Sequence, residues 1–188
     1  MLEACHRVRQ TGSTHINNLR KEKQQKWIPP PKGVFKINVD VATNNQYKKV
    51  GLSAVITNSE GKIVAASINQ SYLQENVSIA EAEAIEWGLQ VAKNVALSYV
   101  IIGSYCKNMV ELVKNTKGSR IAIHWIISDI QHLTRDFQYV NFVFVLKDCN
   151  AHAHSLAKFA LENDTSAVWK ESFPAEYKLY WTLLFLIE

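Results

Sequence analysis

The sequence is poor in cysteine, and what it has does not pair: Cys5, Cys106 and Cys149 are odd in number, widely spaced and form no CxxC. Neither a disulfide framework nor a zinc site is indicated, which suits a reducing intracellular compartment, nucleus or cytoplasm. Long hydrophobic runs are also missing. Leu179 to Ile187 is apolar but only nine residues long, too short to span a bilayer. The amino terminus mixes Glu3, His6, Arg7 and Arg9 with polar residues where a secretory signal has an apolar core. A soluble protein with no membrane partner is expected. No internal repeat is present. The body of the chain also lacks an excess of charge. Residues 1–26 hold six basic side chains against two acidic ones, which leaves fifteen of each sign, of 21 basic and 17 acidic in all, for residues 27–188. A nucleic-acid binder usually shows a basic excess, because phosphate contacts release counterions. Any such role must rest on a local patch or on the basic arm, which otherwise reads as a solvated linker.

What is present is enough apolar material for one well-buried domain: 47% of 188 residues. Residues 1–26 are polar, basic and without sustained periodicity, and read as a disordered arm. Trp27-Ile28-Pro29-Pro30-Pro31 then makes a stiff, extended lead-in to a domain starting near Trp27. The chain is organised around Gly33 to Asp40. Phe35, Ile37 and Val39 alternate there with Lys36, Asn38 and Asp40, the period of a half-buried strand. Asp40 faces away from the apolar side. On spacing alone it fits an aspartate that ends a strand and opens a turn at least as well as a functional carboxylate.

Val41 to Lys49 reads as a polar loop, Val50 to Thr57 as a second strand, Asn58 to Gly61 as a hairpin turn and Lys62 to Gln70 as a third strand. Ser78-Ile79-Ala80-Glu81 fits a capping box opening a helix whose Ile85, Leu89, Ala92 and Ala96 form an apolar stripe. Tyr99 to Ser104 reads as a buried parallel strand. A short helix follows over Cys106 to Lys114, and a longer one over Ile121 to Phe137 carries Trp125, Ile126, Ile130 and Leu133. Val140 to Leu146 gives a fifth strand, and Asn150 caps a last helix, Ala151 to Leu161. Residues 165–188 form a carboxyl-terminal extension. The order β-β-β-α-β-α-α-β-α indicates a mixed sheet with helices packed on it.

That order, taken with Trp27-Ile28-Pro29-Pro30-Pro31, Lys36-Ile37-Asn38-Val39-Asp40, Ala80-Glu81-Ala82-Glu83-Ala84, the Cys106-Lys107 pair heading a short helix, and Asn150-Ala151-His152-Ala153-His154-Ser155-Leu156-Ala157, resembles the ribonuclease H type 1 superfamily. Within it, the chain is similar to the reverse-transcriptase-like branch abundant in plant genomes and derived from non-LTR retroelements. The likeness runs from about Trp27 to about Asp164. It implies an α/β fold: a five-stranded mixed sheet, made of a three-strand antiparallel meander plus two parallel strands, with helices on both faces.

The resemblance also implies a chemistry, hydrolysis of the RNA strand of an RNA–DNA hybrid by two Mg2+ or Mn2+ ions, which need several carboxylates brought together from separate elements. Asp40 matches the first acid, although Val41 stands where the family usually has glycine. Glu81 matches the second, whether or not it also closes a capping box. The third acid falls at the end of the strand Tyr99 to Ser104, where Gly103-Ser104-Tyr105-Cys106-Lys107 replaces a Glu-Ser-Asp-Cys-Lys pattern and delivers Tyr105. A phenol is neutral at physiological pH and a poor magnesium ligand. The fourth position holds His154, which reads either as an imidazole that binds a transition metal or moves protons, or as a half-exposed histidine in a first helical turn. His152 lies about 200° away round a helix and makes no ligand pair with it. Asp148 reads as a turn residue.

Two carboxylates of four imply weakened metal binding. The function expected is a nucleic-acid-binding, monomeric ribonuclease H-like domain for RNA–DNA hybrid or RNA, with hydrolysis weak or lost. Two alternatives stand beside it. One is an active hybrid endoribonuclease in which His154 and manganese compensate. The other is an orphan retroelement fragment or protein-interaction module without catalysis.

Overall fold

In the computed structural model, which describes residues 27–74, 76–115 and 121–170, the alternating stretch becomes strand β1, Phe35–Asn44, near the centre of the sheet. It pairs antiparallel with β2, Lys49–Thr57, which pairs antiparallel with β3, Ile63–Tyr72. On its other side β1 runs parallel to β4, Tyr99–Ser104, and β4 parallel to β5, Tyr139–Phe144. Helix α1 is Val77–Asn94, α2 is Lys107–Lys114, α3 is Ile121–Leu133 and α4 is Ala151–Asn163. Single 3-10 turns cover Thr134–Asp136 and Lys147–Asn150.

The expected architecture holds with one addition. The sheet has six strands, not five, in the order β5-β4-β1-β2-β3-β6, the last being β6, Ala167–Lys170. It lies antiparallel on Ala65–Ile68 of β3. Four residues are too short a run to show a period, and this strand owes its form to a long-range partner. Its Ala167 and Trp169 pack on a small core shared with Val55, Ala66, Ile68 and α4.

The first strand also runs further than its polarity suggests. Val41 to Asn44 pair with Leu52 to Lys49, so the expected loop shrinks to residues 45–48. The Asn44 side chain makes that tight turn by accepting from the Gln46 and Tyr47 amides at 3.1 Å each. At α1 the capping box is replaced. Asn76 is the cap, its Oδ1 accepting from the Ser78 amide at 2.9 Å, and the helix starts at Val77. Asparagine caps as well as serine does, and with the start so placed Glu81 sits a full turn inside the helix, unable to reach back. The helix also stops before Ala96, which takes a left-handed conformation while the Ala96 and Leu97 amides close the last turn onto Lys93 and Ala92. In α3, Ile126, Ile127 and Ile130 are buried and Trp125 is exposed.

Period two sends Ile37 and Val39 to the face covered by α1, α2 and α3. Asn38 and Asp40 go to the other face, and that face is not open to water. Helix α4 lies across it, held by Ser53 Oγ donating to the Ala153 carbonyl and Gln70 Nε2 donating to that of Ala160, each at 2.7 Å. The approach is close because β2 carries Gly51: a Cβ there would meet the Ala157 carbonyl oxygen at 2.2 Å and the Leu161 nitrogen at 2.7 Å. Both are backbone atoms of α4, so relief requires moving the helix. Among the described residues no helix is long and apolar enough to cross a membrane.

Gly51→Ala is therefore expected to destabilise the domain by about 1–3 kcal/mol, the usual cost of overpacking. Urea denaturation followed by tryptophan fluorescence reads the change. An unaltered midpoint would contradict the close packing of α4 on β2.

Candidate active site

Asp40 is the residue on which three elements converge. It lies on β1 opposite Ser53, one position beyond the pairing of Val39 with Ser104, the last residue of β4. Only 9% of its surface is exposed. Its Oδ2 is 2.7 Å from His154 Nδ1, and its Oδ1 accepts from Asn150 Nδ2 at 3.2 Å. An ionised carboxylate only accepts, so Nδ1 of His154 carries the proton. Asn150 Nδ2 also donates to the Val39 carbonyl at 3.0 Å, and Asn38 Nδ2 donates to Asn150 Oδ1 at 2.8 Å and to the Cys149 carbonyl at 3.0 Å. The amides of Asn38 and Asn150 thus brace the carboxylate against the start of α4.

Asn150 corrects an expectation. It stands at the cap position of α4, yet its side chain makes no capping bond; it is 2% exposed and turned into the sheet. The sequence motif contains it, but a helix-start asparagine has an ordinary local explanation that hides the longer-range one. Asn38 belongs to the same network, and its phase relative to Asp40 sets both side chains on one face. His154, in turn, is more than a first-turn histidine, since its ring meets Asp40.

Glu81 reaches the same neighbourhood from α1. Burial, and after it the negative charge of Asp40, pushes its carboxyl up to about 7. Asp40 is raised as well, burial outweighing the bonds from His154, the Val41 amide and Asn150. Burial likewise raises the Cys106 thiol, on which the Glu81 charge also acts, so Glu81 stands near the start of α2. Tyr105 follows the end of β4 and is 50% exposed, its ring centroid 6.0 Å from that of Phe144 at a 31° tilt. Asp148 is exposed in the 3-10 turn before α4.

A pair of hard divalent cations needs several carboxylate oxygens with free lone pairs. Here each Asp40 oxygen already shares its lone pairs with an N–H, the neighbouring strand supplies a phenol in place of an acid, and burial pushes Glu81 up to about 7. Among the described residues no group of three or more His, Cys, Asp or Glu side chains is arranged to hold a metal ion. The side chains present do not fit a two-metal centre.

A carboxyl raised in the folded state disfavours folding as pH climbs from the ordinary carboxylate range towards the folded value. The contribution of Glu81 is thus fully present below about pH 4.5 and is lost as pH rises to about 7. Glu81→Gln is expected to raise the melting temperature by a few degrees near pH 8 and barely at all near pH 5. Thermal unfolding at both values checks this, and an equal shift at the two would contradict it.

A family model described as reverse transcriptase-like matches residues 38–160, which takes in Asp40, Glu81, Tyr105 and His154. A search of curated protein sequences finds no match. Solved structures of similar fold include ribonuclease H1 from the halophilic archaeon Halobacterium salinarum, 17% identical, with a TM-score of 0.64 over 70% of this chain and 99% of that one. The amino-terminal ribonuclease H domain of a Mycobacterium tuberculosis protein is 20% identical, with a TM-score of 0.62 over 69% and 94%. LC11-RNase H1, solved in complex with an RNA/DNA hybrid, is 19% identical, with a TM-score of 0.62 over 69% and 98%. With β1 carrying Asp40 between a meander and a parallel pair, and a family model spanning well over half the sequence, the chain belongs to the reverse transcriptase-like family and has the ribonuclease H fold.

Proposed function

We propose that the domain binds nucleic acid, RNA–DNA hybrid or RNA, through a ribonuclease H fold of retroelement origin in which metal-dependent hydrolysis is weak or lost. The observation that carries this reading is the closed surrounding of Asp40. Its two oxygens accept from His154 and Asn150, bonds with which a cation must compete, and the adjoining strand end presents Tyr105 rather than an acid. A divalent cation entering there would compete with a 2.7 Å bond to imidazole and, of the four positions where the family carries acids, would meet a second carboxyl at Glu81 alone. Binding is supported by the fold shared with a protein solved on an RNA/DNA hybrid. Because residues 27–188 are electrically balanced, the basic arm 1–26 is the natural source of phosphate attraction.

A second reading, an active hybrid endoribonuclease, draws on the crowding of Asp40 and Glu81. Two carboxyls raised by a shared buried setting would each be relieved by a divalent cation. Purified protein incubated with labelled RNA–DNA hybrid, in magnesium and then in manganese, decides between them. No cleavage is expected from the natural sequence, and Tyr105→Asp is expected to gain weak, manganese-favoured cleavage. Cleavage by the natural sequence that disappears in Asp40→Asn would overturn the proposal.

A further inference from the structure

We infer that Tyr105, backed by Phe144, is a stacking platform for an unpaired nucleobase, so that the domain favours single-stranded or frayed nucleic acid over a closed duplex; this rests on the nucleic-acid reading above.

The placement comes from strand register. Ser104 ends β4 opposite Phe144, the end of β5, and opposite Val39 on β1. Tyr105 therefore emerges at the carboxyl ends of β4 and β5, beside the middle of β1, which continues to Asn44. The residue is half exposed, Phe144 is 36% exposed, and their rings stand 6.0 Å apart with a 31° tilt. Phe144 thus supports the phenol from one side while half of the tyrosine surface still meets solvent. The Tyr105 hydroxyl has no hydrogen-bond partner among the described residues. With only two side-chain torsions, a supported tyrosine loses little conformational freedom when something stacks on it. A base face answers to this surface: stacking on an aromatic side chain contributes about 1–3 kcal/mol per base and tolerates any sequence. Bases inside a closed duplex offer no free face, which selects for unpaired ones.

The surrounding charge contributes less than the ring. Lys107 lies two residues beyond Tyr105 and is exposed, its one ion pair among the described residues being a loose contact with Glu111 at 3.9 Å. Lys147, three residues beyond Phe144, is exposed and forms no ion pair among the described residues. Against these cations stand the exposed Asp148 and Glu111 and the buried Asp40 and the half-buried Glu81. Acids outnumber cations here, so this end of the sheet adds no phosphate attraction of its own, and the ring face rather than the field determines what binds. Loss of the ring should accordingly weaken binding without altering its salt dependence.

The full chain is titrated with a single-stranded RNA carrying one 2-aminopurine, and with the same strand annealed to DNA, at several salt concentrations. The natural sequence is expected to quench 2-aminopurine in the single strand and to bind it more tightly than the hybrid. Tyr105→Leu is expected to lose the quenching and roughly five- to a hundredfold in single-strand affinity, the conversion of one stacked base, with an unchanged salt slope. Tyr105→Trp is expected to keep both. Circular dichroism and melting temperature verify that each variant folds, as substitution of a half-exposed side chain allows. Single-strand affinity equal in Tyr105→Leu and the natural sequence, or a loss that vanishes as salt rises, overturns the platform and leaves the nucleic-acid reading intact. Absence of binding to either probe at low salt overturns both.

Discussion

The bond between Asp40 and His154 ties the middle of the sheet to the helix that covers it. At 2.7 Å, with the carboxylate 9% exposed, it belongs to the class of charge-assisted bonds whose loss leaves a buried group unsatisfied. Much of the fold serves to make it possible. Gly51 admits the α4 backbone to the surface of β2, Ser53 and Gln70 fasten that backbone, and the 3-10 turn over residues 147–150 brings Asn150 in beneath Asp40. Asn38 then holds Asn150, and Asn150 donates to the carboxylate.

This arrangement fixes the electrostatics of the pocket. A carboxylate buried in the middle of a strand needs compensation, and here it comes from an imidazole N–H and an amide instead of a cation. The compensation is partial: Asp40 remains raised by burial, and its charge helps hold Glu81 near 7. The pocket thus keeps two acids in sight of one another while one of them is committed to protein donors. The strand that flanks them ends in an aromatic residue, which changes what the edge of the pocket offers from charge to a flat apolar face.

How much of this was legible in the sequence depended on distance along the chain. The alternation of Phe35 to Asp40 carries the strand and the facing of Asp40, and the order of motifs singles out Glu81, Tyr105 and His154, of which His154 meets Asp40 directly. Local chemistry misled where two partners competed. Ser78 satisfied a capping rule that Asn76 in fact fulfilled, and Asn150 satisfied another while its side chain turned to Asp40, 110 residues away in sequence. The polar side of β1 suggested water, because nothing within the strand reveals that α4 covers it. Strand β6 escaped because four residues carry no period, and its pairing with Ala65–Ile68 is settled by tertiary packing alone.

The central claim is that Asp40 is closed to divalent cations by its own protein partners. Isothermal titration of magnesium into the full chain near neutral pH tests it most directly. No saturable binding in the millimolar range is predicted for the natural sequence. Saturable magnesium binding that is abolished in Asp40→Asn would contradict it.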